Sequence, residues 1–182
     1  ENSTADGRYH AKPCGFFESQ ICPSHTEGEK LLLTSLAEVL KYFSPVGLDY
    51  CILWPYDQGG CTCKKCYPWG GNGFYKLAKK QAPIIKAYFP DCKIILSCWY
   101  FDLFTHGEWE QIIPKLESDG DWIDLIMINL HSNHPVALQS LGKPIVSFIE
   151  ISMRGATPWG GFGVNPYPNV LASDIRSTDN LF

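Results

Sequence analysis

Four short apolar runs, separated by stretches of helical spacing, constrain this chain more than any other feature. Leu48 to Trp54, Lys93 to Tyr100, Trp122 to Leu130 and Pro144 to Ile149 are rich in branched and aromatic residues and close to continuously apolar. That pattern predicts strands covered on both faces, as in a parallel sheet. Asp57, Asp102, His131 and Glu150 follow the four runs in turn, so each strand delivers a polar group at its carboxyl end.

The stretches between them read as helices. Leu32, Leu33, Leu36, Val39, Leu40 and Phe43 form one apolar stripe, with Ser24 and Glu27, or Thr26 and Glu29, spaced as a capping box. Phe74, Leu77, Ile84, Ile85 and Tyr88 predict a second helix that Pro83 should kink or start. Trp109, Ile112, Ile113 and Leu116 predict a third, interrupted by Pro114, and Pro135 to Leu141 a fourth of a turn or two. Helix and strand in regular alternation build a parallel sheet through right-handed crossovers, either doubly wound or closed as a barrel. Neither Gly59-Gly60 nor Gly70-Gly71 has the spacing of a dinucleotide fingerprint or a phosphate loop. Polar and aromatic residues instead gather after several strands in succession, which is how barrel enzymes assemble a site.

The fold expected is therefore α/β, an incomplete (β/α)8 TIM-type barrel of about four or five consecutive βα units, because 182 residues fall short of the roughly 250 of a complete barrel. Residues 1–20 read as an irregular amino-terminal segment, 21–168 as the partial barrel and 169–182 as a polar tail. A start at Glu1 rather than Met agrees with a fragment or a processed product. Two unpaired sheet edges would make such a piece self-associate.

A net charge of −4 without a basic run offers nothing to a nucleic-acid backbone. No apolar run approaches the roughly 20 residues of a membrane helix, and Glu1 to Gly7 lacks signal-peptide features. A soluble piece is expected, with neither nucleic acid nor membrane as partner.

After the first strand come Cys61, Cys63 and Cys66, three thiols within six residues and badly placed to pair with one another. Zinc would take these three and a fourth ligand from elsewhere. Cys22 is the best candidate and Cys14 the next, since Cys22 precedes the helix that leads into this strand. Such a four-thiolate site would be structural, and no organic cofactor is expected. A disulfide from the cluster to Cys14 or Cys22, or simple reduced thiols, are the alternatives. Cys51, Cys92 and Cys98 fall in or beside strands and read as small buried hydrophobes.

Aromatic residues make up 14% of the chain, including six Trp, and several stand near strand ends where they suit the apolar faces of sugar rings. Trp54 and Trp99 lie in or at the ends of strands. Trp69 and Trp159 lie in Pro-Trp-Gly-Gly loops, which makes them the better candidates for substrate contact.

Four motifs carry a resemblance: Ile21-Cys22-Pro23-Ser24, Trp54-Pro55-Tyr56-Asp57-Gln58-Gly59-Gly60-Cys61-Thr62-Cys63, Ile95-Leu96-Ser97-Cys98-Trp99-Tyr100-Phe101-Asp102, and Glu150-Ile151-Ser152-Met153 followed by Pro158-Trp159-Gly160-Gly161-Phe162-Gly163. On these the chain resembles a largely uncharacterised group of bacterial proteins related to glycoside hydrolases, with barrels loosely like those of β-hexosaminidases and α-glucuronidases. The resemblance implies a (β/α)8 barrel that acts on carbohydrate.

Glycosidic hydrolysis usually needs two carboxyl groups, a proton donor and a nucleophile or base. Asp57 as acid and Glu150 as nucleophile or base are the pair expected, with Asp102 as the rival to either. Trp54, Tyr56, Gln58, Trp99, His131 and Trp159 are the candidate sugar contacts. His131 and His134 also suit a metal-dependent hydrolase or isomerase, and a carbohydrate-binding scaffold without catalysis is a third possibility.

Overall fold

The structure, a computed structural model, describes residues 2–3, 20–55, 60–103, 105–129, 136–148, 169 and 172. Strands β3 (Tyr50–Leu53), β4 (Lys93–Ser97), β5 (Leu125–Asn129) and β6 (Ile145–Phe148) form one parallel sheet in the order β3-β4-β5-β6. Each lies inside one of the four apolar runs. Helix α1 (Thr26–Phe43) precedes β3, while α2 (Tyr75–Tyr88), α3 (Glu108–Asp119) and the single turn α4 (Ala137–Ser140) connect the strands. Strand order equals chain order, so right-handed connections keep the crossovers on one side of the sheet. This is an α/β arrangement of consecutive βα units, as the alternation of runs predicts.

The two faces of the sheet differ. Leu53, Leu96, Ile126 and Ile145 stand side by side in register on one face. They share a core with Leu40 of α1, Ala78 and Ile85 of α2, and Ile112 and Leu116 of α3. On the opposite face Ser97, Met127 and Val146 align, as do Asn129 and Phe148. Trp54 and Trp99 follow β3 and β4 with the parity of this second face. Trp54 and Phe148 have ring centroids 5.1 Å apart although they extend from the two outermost strands. Four flat strands would put those strands about 14 Å apart. Contact across that gap requires the second face to be concave.

A further strand precedes α1 but does not join this sheet. β2 (Gln20–Ile21) pairs antiparallel with β1 (Asn2–Ser3) in a separate two-stranded sheet.

Two local expectations are corrected. Neither capping box forms: α1 begins after His25, which makes no side-chain cap, and the Ser24 hydroxyl lies against Cys66 instead. Pro83 does not start α2 and Pro114 does not interrupt α3: both sit inside their helices. Both prolines are exposed, so the ring occupies the solvent side of its helix, and packing of the opposite face outweighs the lost backbone bond.

Candidate metal centre

The site is built from the loop that leaves β3 and from the short link between β2 and α1. After Gly60 the chain folds into a tight turn, in which Cys66 and Tyr67 both donate their backbone N–H to the Cys63 carbonyl at 2.9 Å. A π-helical segment, Gly70–Phe74, then leads into α2. Trp69 closes the loop on itself, with its indole N–H donating to the Pro55 carbonyl. Only 5% of Trp69 is exposed, so this residue is a buried anchor and not the sugar contact its loop setting suggests.

Cys22 comes from the other side. The backbone N–H of His25 donates to its carbonyl at 3.2 Å as the chain turns into α1. Gly28, on the first turns of that helix, passes so close that a Cβ there would collide with the Cys22 carbonyl oxygen and lie 2.9 Å from Ile21 Cγ2. Gly73 does the same on the far wall, where a Cβ would lie 2.8 Å from Cys66 Cβ. Two glycines thus let α1 and the π segment close on the thiols.

The four Sγ atoms of Cys22, Cys61, Cys63 and Cys66 all lie within 4.8 Å of one another. Cys22 Sγ is 3.4 Å from Cys61 Sγ, 3.8 Å from Cys63 Sγ and 3.9 Å from Cys66 Sγ. A disulfide requires about 2.05 Å, and all four cysteines are free. A tetrahedron of sulfurs at about 2.3 Å from a central ion has edges of about 3.8 Å. The three separations from Cys22 match that figure within a few tenths of an ångström, so the donor set can hold a metal ion. Cys22, Cys61 and Cys66 are buried and Cys63 is partly so.

The electrostatics of the thiols are uneven. Burial works against ionisation of Cys63, but the Lys65 backbone N–H and the neighbouring thiols of Cys61, Cys66 and Cys22 outweigh it and bring its pKa down to about 7. Burial pushes the Cys66 thiol well up, and the charges of Cys61 and Cys22 add to this, while Ser24 Oγ at 3.0 Å pulls the other way. Four packed thiolates repel one another, and a bound cation removes that repulsion. Cys98 behaves as a buried hydrophobe: burial, reinforced by the Glu108 carboxylate, raises its thiol pKa. Burial also raises the thiols of Cys51 and Cys92.

All four expected metal ligands are therefore together. Of the expected sugar-site residues, Trp54 and Trp99 are also brought together, with centroids 5.1 Å apart on the concave face. Phe148 and Tyr100 join them at 5.1 Å from Trp54 and 4.3 Å from Trp99 respectively. Asp102 sits beyond β4 in a left-handed conformation with φ 63°, next to Tyr100 at φ 53°. Its Oδ1 accepts the Glu108 N–H at 2.7 Å, which ties it to the start of α3. Cys14, Tyr56, Asp57, Gln58, His131, His134, Glu150 and Trp159 lie outside the described residues.

Sequence reasoning missed Glu108. Its carboxylate is fully buried and accepts the N–H of Gly70 at 2.7 Å and of Asp102 at 3.0 Å, so it joins the cysteine loop to the loop after β4. An acid opening a helix reads as a solvated dipole partner, and nothing local marks this one as buried. The role of Ser24 was hidden in the same way, behind its resemblance to a helix cap.

Neither a protein-family model nor a curated protein matches this chain.

Proposed function

We propose that Cys22, Cys61, Cys63 and Cys66 hold a structural zinc ion that fixes the loop after β3 at the rim of the sheet. The observation that carries this reading is the separation of Cys22 Sγ from the other three sulfurs, which equals a zinc–thiolate tetrahedron edge within a few tenths of an ångström. Four protein ligands leave no open position for water or substrate, so the ion stabilises and does not catalyse. It ties the β2–α1 link to the β3 loop. Elemental analysis of protein prepared without chelator tests the proposal. One zinc per chain, lost on replacing Cys22 by serine together with a drop in melting temperature, is the expected result. Metal-free protein that melts like the Cys22→Ser variant overturns it.

A second reading, favoured by the concave aromatic cluster, concerns the rim itself: a glycoside-hydrolase-like, carbohydrate-active surface of a partial barrel. Trp54, Tyr100 and Phe148, each partly exposed and packed around the buried Trp99, supply the flat apolar surface that sugar C–H groups need. Trp99 is 7% exposed, and its buried Nε1 has no hydrogen-bond partner among the described residues. Asp57 and Glu150 are the proposed acid and nucleophile or base, with Asp102 as rival. Tyr56, Gln58, His131 and Trp159 are the proposed additional contacts. Asp57→Asn, Glu150→Gln and Asp102→Asn, each assayed for glycoside turnover and for sugar binding, separate the roles. Turnover below about a hundredth with binding retained marks a chemical group. Normal rates in both Asp57→Asn and Glu150→Gln remove the pair from consideration.

A further inference from the structure

Beside the thiol cluster, on its outer side, lies a cavity of about 480 Å³ walled by the start of α1, the cysteine turn and the first half of α2. That volume falls within the range of small-molecule sites. Four lysines line it: Lys64 and Lys65 from the turn, and Lys76 and Lys80 from α2. Glu29 is the one acid in the lining, and it is already paired with Lys80. Lys64, Lys65 and Lys76 make no ion pair among the described residues.

Three cations without an ion pair among the described residues therefore face one cavity, in a chain whose net charge is −4. One is held in place by an uncharged group: Lys76 Nζ donates to the Lys65 carbonyl at 3.3 Å. The crowding reaches the next cation. Lys115, which donates to Asn72 Oδ1 at 2.8 Å, has its amine pKa lowered by burial and further by the charge of Lys76. Like charges gathered at one wall repel, and that repulsion is relieved when an anion enters.

We propose that this groove binds a doubly charged oxyanion, phosphate or sulfate, either free or as an ester on a sugar. Lysines act as point charges for such groups, and several converging on one wall favour a dianion over a single carboxylate. The site stands apart from the concave face and does not depend on which metal the thiols hold.

The test is a titration of the metal-loaded full chain at constant ionic strength with sodium phosphate, a hexose phosphate and sodium acetate, followed by backbone amide shifts. Phosphate is expected to move the amides of Lys64, Lys65 and Lys76 saturably, with acetate at least about ten-fold weaker. A hexose phosphate that binds about ten-fold tighter than inorganic phosphate identifies an ester as the ligand, and equal affinities identify the free ion. The Lys64→Gln, Lys76→Gln double variant should weaken phosphate by about ten-fold or more at unchanged metal content. Lys64→Gln alone, which breaks no hydrogen bond among the described residues, should weaken it by a smaller factor. No saturable shift below about 20 mM phosphate overturns the proposal. So does equal binding by the double variant. Loss of metal from the variant, with no phosphate binding by the parent, makes the lysines counter-charges to the thiolates and likewise overturns it.

Discussion

Gly28 shows how a single residue sets the metal centre. In a helix interior, glycine to alanine normally adds about 1 kcal/mol of stability. Here the new methyl would meet the Cys22 carbonyl and Ile21 Cγ2, both belonging to the segment that presents the first thiol. Gly28→Ala is therefore expected to lower stability instead of raising it and to speed zinc loss to a chelator. A variant that melts higher and keeps its metal as the parent does contradicts this account. Ser24 acts at the same scale but more gently, since to a thiolate its hydroxyl is the donor, across 3.0 Å to Cys66. The cysteine spacing itself was legible: three thiols in one turn and one at the adjoining strand end are enough to nominate four ligands. Glu108 and Trp69 were not legible, because burial decides both and burial is a property of what packs around a residue.

Between elements, two carboxylates hold the connections. Glu108 joins the π segment to the loop after β4 through the N–H groups of Gly70 and Asp102. Glu108→Gln puts an amide NH2 opposite one of those donors and removes the charge from both bonds. A loss of about 2 kcal/mol by chemical denaturation is expected, and a loss near zero would show that the carboxylate is dispensable. Asp124 does comparable work at the amino-terminal edge of the strands. Its Oδ2 accepts the Ile94 N–H at 2.8 Å, and Lys86 and Lys93 lie 3.4 and 3.5 Å from its oxygens. Burial opposes its ionisation, but the Ile94 N–H and the two lysines outweigh that, so its pKa lies below the usual carboxylate value. A depressed folded pKa means stability that is present above the unfolded value of about 3.9 and lost as pH falls through the folded one. Asp124→Asn should therefore cost about 1 kcal/mol at pH 7, with the gap to the parent closing as pH drops from about 4. A gap that stays constant down to the acid limb rules out this linkage. Helix and strand positions themselves followed from periodicity, while the prolines of α2 and α3 misled because local propensity cannot register the packing on the opposite face.

For the molecule as a whole, the β3 edge is the exposed flank. β3 borders only β4 in the described sheet, and Tyr50 and Ile52 on its second face are 57% and 49% exposed. Val39, Tyr42 and Val46, just before it in the chain, are also exposed. Apolar edges of this kind template further strand pairing. Concentration-dependent self-association is expected in light scattering, and Ile52→Lys should reduce it while leaving the melting temperature within about 1 °C. A parent that stays monomeric across the accessible concentration range would contradict this expectation. The four strands of the parallel sheet, their order and the thiol set were determined by the amino-acid sequence, since they rest on short-range periodicity, right-handed crossover and ligand spacing. Tertiary structure alone decided the concave face that brings Trp54 to Phe148, the burial of Glu108, and the meeting of four lysines that form no basic run in the chain. Each of those depends on residues far apart in sequence being carried together by the packing of helices on one side of a curved sheet, and no local pattern encodes that distance.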